Sequence, residues 1–196
     1  MIRLFDLCLS FIGIVVLLPF LLIIAIINSF ETQGKPFFNQ LRAGKDGKPF
    51  NLIKFRTMYS DSGDGNKLTI GLNDKRITRF GSFLRTYKLD EIPQLLNVIK
   101  GEMSLVGPRP EVMKYVEMYN EDQKKILCVK PGLTDYASIL FFNENEILAN
   151  SKEPEKIYIE EIIPQKIRVN NKFIADPSLR QYFSILWLTI RRIFFS

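Results

Sequence analysis

The 196-residue chain contains no histidine. That absence excludes a Ser-His-Asp or Cys-His nucleophile and every histidine metal site. Any acid, base or nucleophile must then be a carboxylate, lysine, tyrosine, cysteine or hydroxyl. Cysteine is scarce as well: Cys8, in an apolar run, and Cys128 are too few and too far apart for a disulfide framework. They fit a reducing cytosol or plain packing. Internal repeats, a low-complexity tail and a break marking a second domain are all missing, and the length suits one domain with a proper core. The charge is uneven, with 27 Lys+Arg against 21 Asp+Glu and a net of +6, which suggests an anionic partner. Nucleic acid, an anionic lipid surface and a phosphorylated substrate all satisfy that charge. Against nucleic acid, the aromatics are not interleaved with basic residues as a stacking platform requires, and no recognised binding motif occurs.

Leu7 to Ile27 carries no charge and is apolar apart from Ser10 and small residues. As a helix it would be roughly 30 Å long, enough to cross a bilayer. No small-x-small site follows it, which argues against a cleaved signal peptide. Pro19, near its middle, removes a helix hydrogen bond and clashes with the carbonyl four residues back. A kinked transmembrane span and a re-entrant helix–break–helix with both ends in one leaflet each accommodate that proline.

Two strands follow, Pro36 to Arg42 and Pro49 to Phe55, joined by a loop whose Gly44 and Gly47 suit a hairpin. Alternation places Phe50, Leu52, Lys54 and Arg56 on one side, with Lys54 and Arg56 emerging at the hairpin's end toward an active site. Tyr59 to Leu72 is rich in Ser, Asp, Gly and Asn and reads as a mobile loop, a candidate lid over a nucleotide. Its aspartates do not make a calcium loop, because the acidic twelfth position is missing.

The richest stretch is Ile77 to Pro110. Ile77, Phe80, Phe83, Leu84 and Tyr87 recur at helical spacing. Two adjacent carboxylates, Asp90 and Glu91, come next, followed by Pro93 and a helix-like run. An acidic pair in a helix's first turn has an ordinary explanation in the helix dipole. Here, however, Arg76, Arg79, Arg85 and Lys88 precede the pair, and Lys100 and Arg109 follow it. Val106 to Pro110 reads as neither helix nor central strand: its prolines make a rigid loop able to aim the Arg109 guanidinium at an anion.

Lys54-Phe55-Arg56-Thr57-Met58, Ile77-Thr78-Arg79-Phe80-Gly81, Leu89-Asp90-Glu91-Ile92-Pro93-Gln94-Leu95, Gly101-Glu102-Met103-Ser104, Val106 to Pro110 and Lys130-Pro131-Gly132-Leu133-Thr134 occur in order. This assembly, over nearly the whole chain, resembles the monotopic bacterial sugar transferases, the phosphoglycosyl transferases that start membrane-linked glycan synthesis. The resemblance implies transfer of a sugar phosphate from a UDP-sugar to polyprenyl phosphate with release of UMP, aided by Mg²⁺. It also implies Asp90 as covalent nucleophile and Glu91 as its partner in metal positioning or proton handling, both counted as metal ligands. Phosphate binding falls to Lys54, Arg56, Arg76, Arg79, Arg85 and Arg109. The family's re-entrant helix has both ends cytosolic, which would place this chain in the bacterial inner membrane with its catalytic domain facing the cytoplasm and Pro19 at the break. Leu18-Pro19 stands where the family commonly has Ser-Pro, so no serine hydroxyl is there to satisfy a freed carbonyl. Lys75 replaces the proline of the family's Asp-Pro-Arg-Ile word, and Asp135-Tyr136-Ala137 departs from its glycine-aromatic-alanine word. That last departure looks like the subgroup acting on amino- or N-acetylated deoxysugars.

Glu111 to Lys130 is consistent with a helix ending near Pro131, and Pro131-Gly132 marks a turn. Leu140, Phe141 and Phe142 read as core or membrane-contacting, core being the commoner case. From Leu179 onward a broad apolar face with basic flanks suits a helix lying in the bilayer interface, a soluble docking helix being the alternative. The expected architecture is α+β and mainly helical: residues 1–30 a membrane-inserted re-entrant helix, 31–178 a cytosolic catalytic domain with a small β-hairpin, and 179–196 an amphipathic interfacial helix integral to it. The oligomeric state stays open, a homodimer included. A bitopic transferase and a non-enzymatic basic membrane scaffold are the competing readings.

Overall fold

The computed structural model describes residues 1–60, 74–149 and 151–194. Most of the expected loop at 59–72 lies outside them. The architecture is α+β and mainly helical, as expected. Helix α1 (Ile2–Thr32) leads into an antiparallel hairpin, β1 (Phe37–Ala43) and β2 (Pro49–Phe55). Phe38 pairs with Lys54, Gln40 with Leu52 and Arg42 with Phe50, so these side chains share one face. Then come α2 (Arg79–Thr86), α3 (Gln94–Lys100) and β3 (Ser104–Val106).

Helix α1 is turned inside out relative to a soluble helix. Its buried residues are the polar Asp6, Ser10, Asn28 and Thr32, while Phe11, Val16, Phe20, Ile23, Ile26 and Phe30 are exposed. Water would not tolerate so large an apolar face; lipid would. Both ends are fastened to the same body. Arg3 donates to the carbonyls of Val98 and Ile99 at 2.6 and 3.0 Å, at the C-terminus of α3. Asp6 Oδ1 accepts from Ser104 Oγ, the Leu105 amide and Tyr182 Oη at 2.9–3.0 Å. At the other end Glu31 accepts from the Phe80 amide at 3.0 Å, in the first turn of α2. Positive charge at one helix's end and negative charge at another's beginning both suit the helix dipole.

The expected break at Pro19 is absent, because the helix runs through it. One proline removes one hydrogen bond at a cost of ~3 kcal/mol, which a long, uniformly apolar helix can absorb. The C-terminal half differs more from expectation. Instead of one helix over 111–130 there are α4 (Met113–Val116), α5 (Glu121–Lys124) and a short 3₁₀ turn. Asn120 and Gln123 form a reciprocal capping box that starts α5 afresh. Gly132 is not in a turn. It opens β4 (Gly132–Thr134), which pairs in parallel with β3, so Val106 is strand as well. The two backbones approach so closely that a Cβ on Gly132 would run into Gly107.

Helices α6 (Tyr136–Leu140), α7 (Glu144–Ala149) and α8 (Pro154–Ile157) follow, and a π turn leads from α8 into α9 (Ile163–Ala175). Leu140 is 66 % exposed, so the core assignment fails for it: it is the last residue of a five-residue helix and its side chain stays in the open. Amphipathic α10 (Leu179–Phe194) buries Tyr182 and Ile185 against the domain and exposes Phe183, Trp187 and Ile190. The broad apolar face read in the sequence is thus divided, part docked on the domain and part exposed. Phe5 of α1 meets Phe183 edge-to-face at 5.1 Å, making the two outward apolar faces continuous.

Candidate active site

Two turns build the centre of the site. Lys88 adopts a left-handed backbone (φ 57°), unusual for a residue with a side chain, and reverses the chain out of α2. Leu89, Asp90 and Glu91 then form one 3₁₀ turn before Pro93 and α3. Adjacent side chains on a helix diverge by about 100°. On this short turn both carboxylates nonetheless line one cavity of about 310 Å³. The second turn is the 107–110 loop. Gly107 N–H donates to Thr134 O at 3.0 Å and Gly132 N–H to Pro108 O at 2.9 Å, holding Arg109 over the dyad.

The two carboxylates stand in different company. Arg109 grips Glu91 with both guanidinium nitrogens, Nη1 to Oε2 at 2.9 Å and Nη2 to Oε1, and Lys54 Nζ lies 3.8 Å from Oε1. Burial alone would push Glu91 up, but Arg109 and Lys54 together hold it well below the usual carboxylate range. Asp90 is 8 % exposed and engaged by no hydrogen bond or ion pair among the described residues. Burial and the neighbouring Glu91 charge push it up to about 6, against the pull of Lys54, Arg85 and Lys88. Burial in turn brings Lys54 down to about 8, with Glu91 opposing. The pair is thus split into a paired anion and an available one.

Of the residues singled out in the sequence, Lys54, Arg56, Arg76, Arg85, Asp90, Glu91 and Arg109 line the cavity. Arg56 is held by the Lys35 carbonyl at 3.0 Å and the face of Phe38, and Arg85 by Thr57 Oγ1 at 2.8 Å. Arg76 is occupied by Asp74 at 2.6 Å. Arg79 is not among the lining residues; it is exposed on the first turn of α2. Pro19 lies within α1, away from the cavity lining.

Sequence reasoning missed several lining groups. Arg42 is bound to Gln40, the Pro110 carbonyl and Glu111, and Glu111 also accepts from Tyr158 Oη at 2.5 Å. Arg42 was within reach, because strand alternation and the Phe38–Lys54 pairing put it on the Lys54 face. Lys166, paired with Glu144, also lines the cavity, and so does Lys88, which the sequence sets in the basic flank of the pair. In all, eight cations and five carboxylates face it, an excess suited to a polyanion such as a diphosphate.

No cluster of three or more potential metal-ligating residues occurs among the described residues. Mg²⁺ needs no such cluster: it binds through one or two carboxylates and completes its shell with water and substrate phosphates. The open carboxylate of Asp90 beside Glu91 fits that mode.

A family model described as "Bacterial sugar transferase" matches residues 1–196. The chain belongs to that family. Several curated bacterial sugar transferases are similar to it. The undecaprenyl-phosphate glucose phosphotransferase of Komagataeibacter xylinus is 32 % identical over 99 % of this chain, the match covering 36 % of that protein. The UDP-glucose:undecaprenyl-phosphate glucose-1-phosphate transferase of Klebsiella pneumoniae is 39 % identical over 70 % of this chain and 30 % of its own length. A Bacillus subtilis protein, whose name provisionally assigns it undecaprenyl-phosphate N-acetylgalactosaminyl 1-phosphate transfer, is 39 % identical over 61 % of this chain and 67 % of its own length. This bacterial sugar transferase thus spans only about a third of the two glucose-transferring relatives.

Proposed function

We infer that the chain transfers a sugar 1-phosphate from a UDP-sugar to undecaprenyl phosphate, giving a lipid-linked diphosphosugar and UMP, with Asp90 as the covalent nucleophile. The observation that carries this reading is the asymmetry of the dyad. Glu91, clamped by Arg109 and Lys54 and held well below the usual carboxylate range, is weakly basic and a poor nucleophile. Asp90 is open to the cavity and, with its carboxyl raised, is more basic and more reactive yet still ionised at neutral pH. In the first step an Asp90 oxygen attacks the sugar-bearing phosphorus and the bond to the UMP phosphate breaks, leaving an aspartyl phosphosugar. In the second, an oxygen of undecaprenyl phosphate attacks that phosphorus and the Asp90 carboxylate leaves, restored.

Arg109, Lys54 and Arg85 neutralise the phosphoryl oxygens as charge builds there, and Arg56 and Lys88 extend the positive wall toward the cavity mouth. Asp90 and Glu91 would hold Mg²⁺, which when bound supplies further neutralisation of the diphosphate. An amino- or N-acetylated sugar is the donor we favour, on the Asp135-Tyr136-Ala137 word and the similarity to the Bacillus protein.

The helix α1 reading belongs here too. A helix whose two ends are both tied to one catalytic body cannot place that body on one side while crossing to the other. This supports insertion from the cytoplasmic face with both ends on the same side. In a background without native cysteines, cysteines placed at positions 2 and 30 should both react with an impermeant reagent from that side; reaction from opposite sides would exclude it.

The reaction is tested by incubating purified protein in detergent with Mg²⁺, undecaprenyl phosphate and a panel of UDP-sugars and measuring UMP. Release with one sugar, lost in Asp90→Asn together with the covalent adduct, is the expected result. Undiminished release by Asp90→Asn would remove Asp90 from the nucleophile role, and no release by folded protein would leave the scaffold reading.

A further inference from the structure

The tip of the loop that carries Arg109 is chemically short of handles. Pro108 and Pro110 have no N–H, so within Pro108-Arg109-Pro110 the Arg109 amide is the sole backbone donor. That donor goes to a side chain: Asp135 Oδ2 accepts it at 2.9 Å. The same oxygen accepts from Asn170 Nδ2 of α9 at 2.6 Å, and Oδ1 caps α6 through the Ser138 amide at 2.5 Å. Asn170 Oδ1 faces the Ala137 amide at 3.4 Å, closing the network. Asp135 and Asn170 are both 3 % exposed. A buried carboxylate whose lone pairs serve three separate elements has a fixed orientation.

We propose that Asp135 is a positioning residue that acts through the Arg109 backbone, with Asn170 as its anchor, to seat the Arg109 guanidinium on Glu91. Thr134 and Asp135 are consecutive and divide the work: the Thr134 carbonyl takes the Gly107 amide, and the Asp135 carboxylate takes the Arg109 amide two residues on. The parallel β3–β4 pair thereby sets the loop's height, and Asp135 sets its tip. Without that carboxylate the backbone of the tip keeps, among the described residues, two grips, Gly132 N–H on the Pro108 carbonyl and Arg42 on the Pro110 carbonyl. The first holds only the carbonyl edge of the Pro108–Arg109 peptide plane, whose N–H edge Asp135 holds, so loss of the carboxylate frees that plane to pivot at the root of the Arg109 side chain. A guanidinium aimed with two nitrogens at one carboxylate is sensitive to a shift of about 1 Å at its root.

This proposal rests on Arg109 serving the transfer reaction, and the test separates the two. Hydrogen exchange of the peptide spanning 107–112 reports the Arg109 amide, which is protected in the parent and should exchange at least tenfold faster in Asp135→Ala. Unchanged exchange would overturn the proposal whatever the protein catalyses. A double-mutant cycle on kcat/KM with Asp135→Ala and Arg109→Ala then asks whether the two act together. Asp135→Ala should lower kcat more than tenfold with less effect on KM, and should cost under threefold more once Arg109 is gone. Losses that multiply would show that Asp135 does not work through Arg109. If no UDP-sugar is turned over, the reaction reading fails while the cycle is read instead on UDP affinity. If Asp135→Ala does not fold, Asp135→Asn takes its place in each arm. Its single oxygen can hold Arg109 or cap α6 but not both, so an intermediate loss of protection and activity is expected, and parental values in both would overturn the proposal.

Discussion

Replacing Asp90 with asparagine should destroy turnover and make the protein more stable. In the folded chain Asp90 loses its proton only near pH 6, against 3.8 for an unperturbed aspartate, because the site buries its charge beside Glu91. Folding therefore opposes ionisation, and the penalty grows as pH rises above the unfolded value and is complete above about 6. At ~1.4 kcal/mol per pKa unit the penalty comes to about 3 kcal/mol near neutrality. Asparagine keeps the shape and never carries the charge. For a chain of this size that gain corresponds to a melting temperature higher by about 6–12 °C. The assay is thermal unfolding of parent and Asp90→Asn in detergent with a chelator present, at about pH 7.5 and about pH 4.5. The same linkage predicts that the gap narrows to about 1 kcal/mol at the lower pH, where the folded Asp90 is protonated in both senses that matter: neutral, and no longer opposed by Glu91. A parent as stable as the variant near pH 7.5, or a gap indifferent to acid, would refute the claim that this carboxylate is held at a cost for its reactivity.

Other outcomes follow from the same geometry. The rate of UMP release should fall about tenfold per unit as pH drops below about 6, when Asp90 takes up a proton, and should decline again above about 8 as Lys54 loses one; a flat pH–rate profile between about 5 and 9 would contradict both. Arg109→Lys keeps the charge but not the two-nitrogen grip on Glu91, and should cost on the order of 10–100-fold in kcat, with a change under threefold counting against the clamp. Mg²⁺ should raise the melting temperature of the parent, and should do so much less for Asp90→Asn; equal shifts would place the ion elsewhere. Asp6→Ala strands three buried donors and should lower stability by about 3 kcal/mol, read from denaturant or thermal unfolding in detergent.

What could be read in the sequence was whatever is local. The hairpin was legible because alternation and two loop glycines fall within twenty residues, and α2 because Phe80, Phe83, Leu84 and Tyr87 recur at helical spacing. The Asp-Glu turn was legible only through its company of basic residues and the resemblance, since an acidic pair before a proline has an ordinary explanation. The β3–β4 pair was not legible. Its strands are three residues each and far apart in the chain, and their reason for pairing is the contact between Gly107 and Gly132, which no periodicity encodes. Asp135 stood out as a departure from a family word, but its partner Asn170 lies thirty-five residues on in α9. Glu111 was invisible for a similar reason: it reads as an ordinary charged residue until the fold sets it against Arg42 and Tyr158.

The carboxylate of Asp6 imposes an order of events on the chain's birth. It leaves the ribosome well before one of its three donors, Tyr182. Until α10 is made, that donor is missing, and the apolar face of α1 can already seek lipid while its polar face has nothing to rest on. Insertion of the helix can thus precede completion of the body it anchors, with Asp6 waiting for a hydroxyl synthesised 176 residues later. A ribosome halted before Tyr182 should leave a nascent chain that is bound to the membrane yet unable to close, and one that quality-control proteases can still reach.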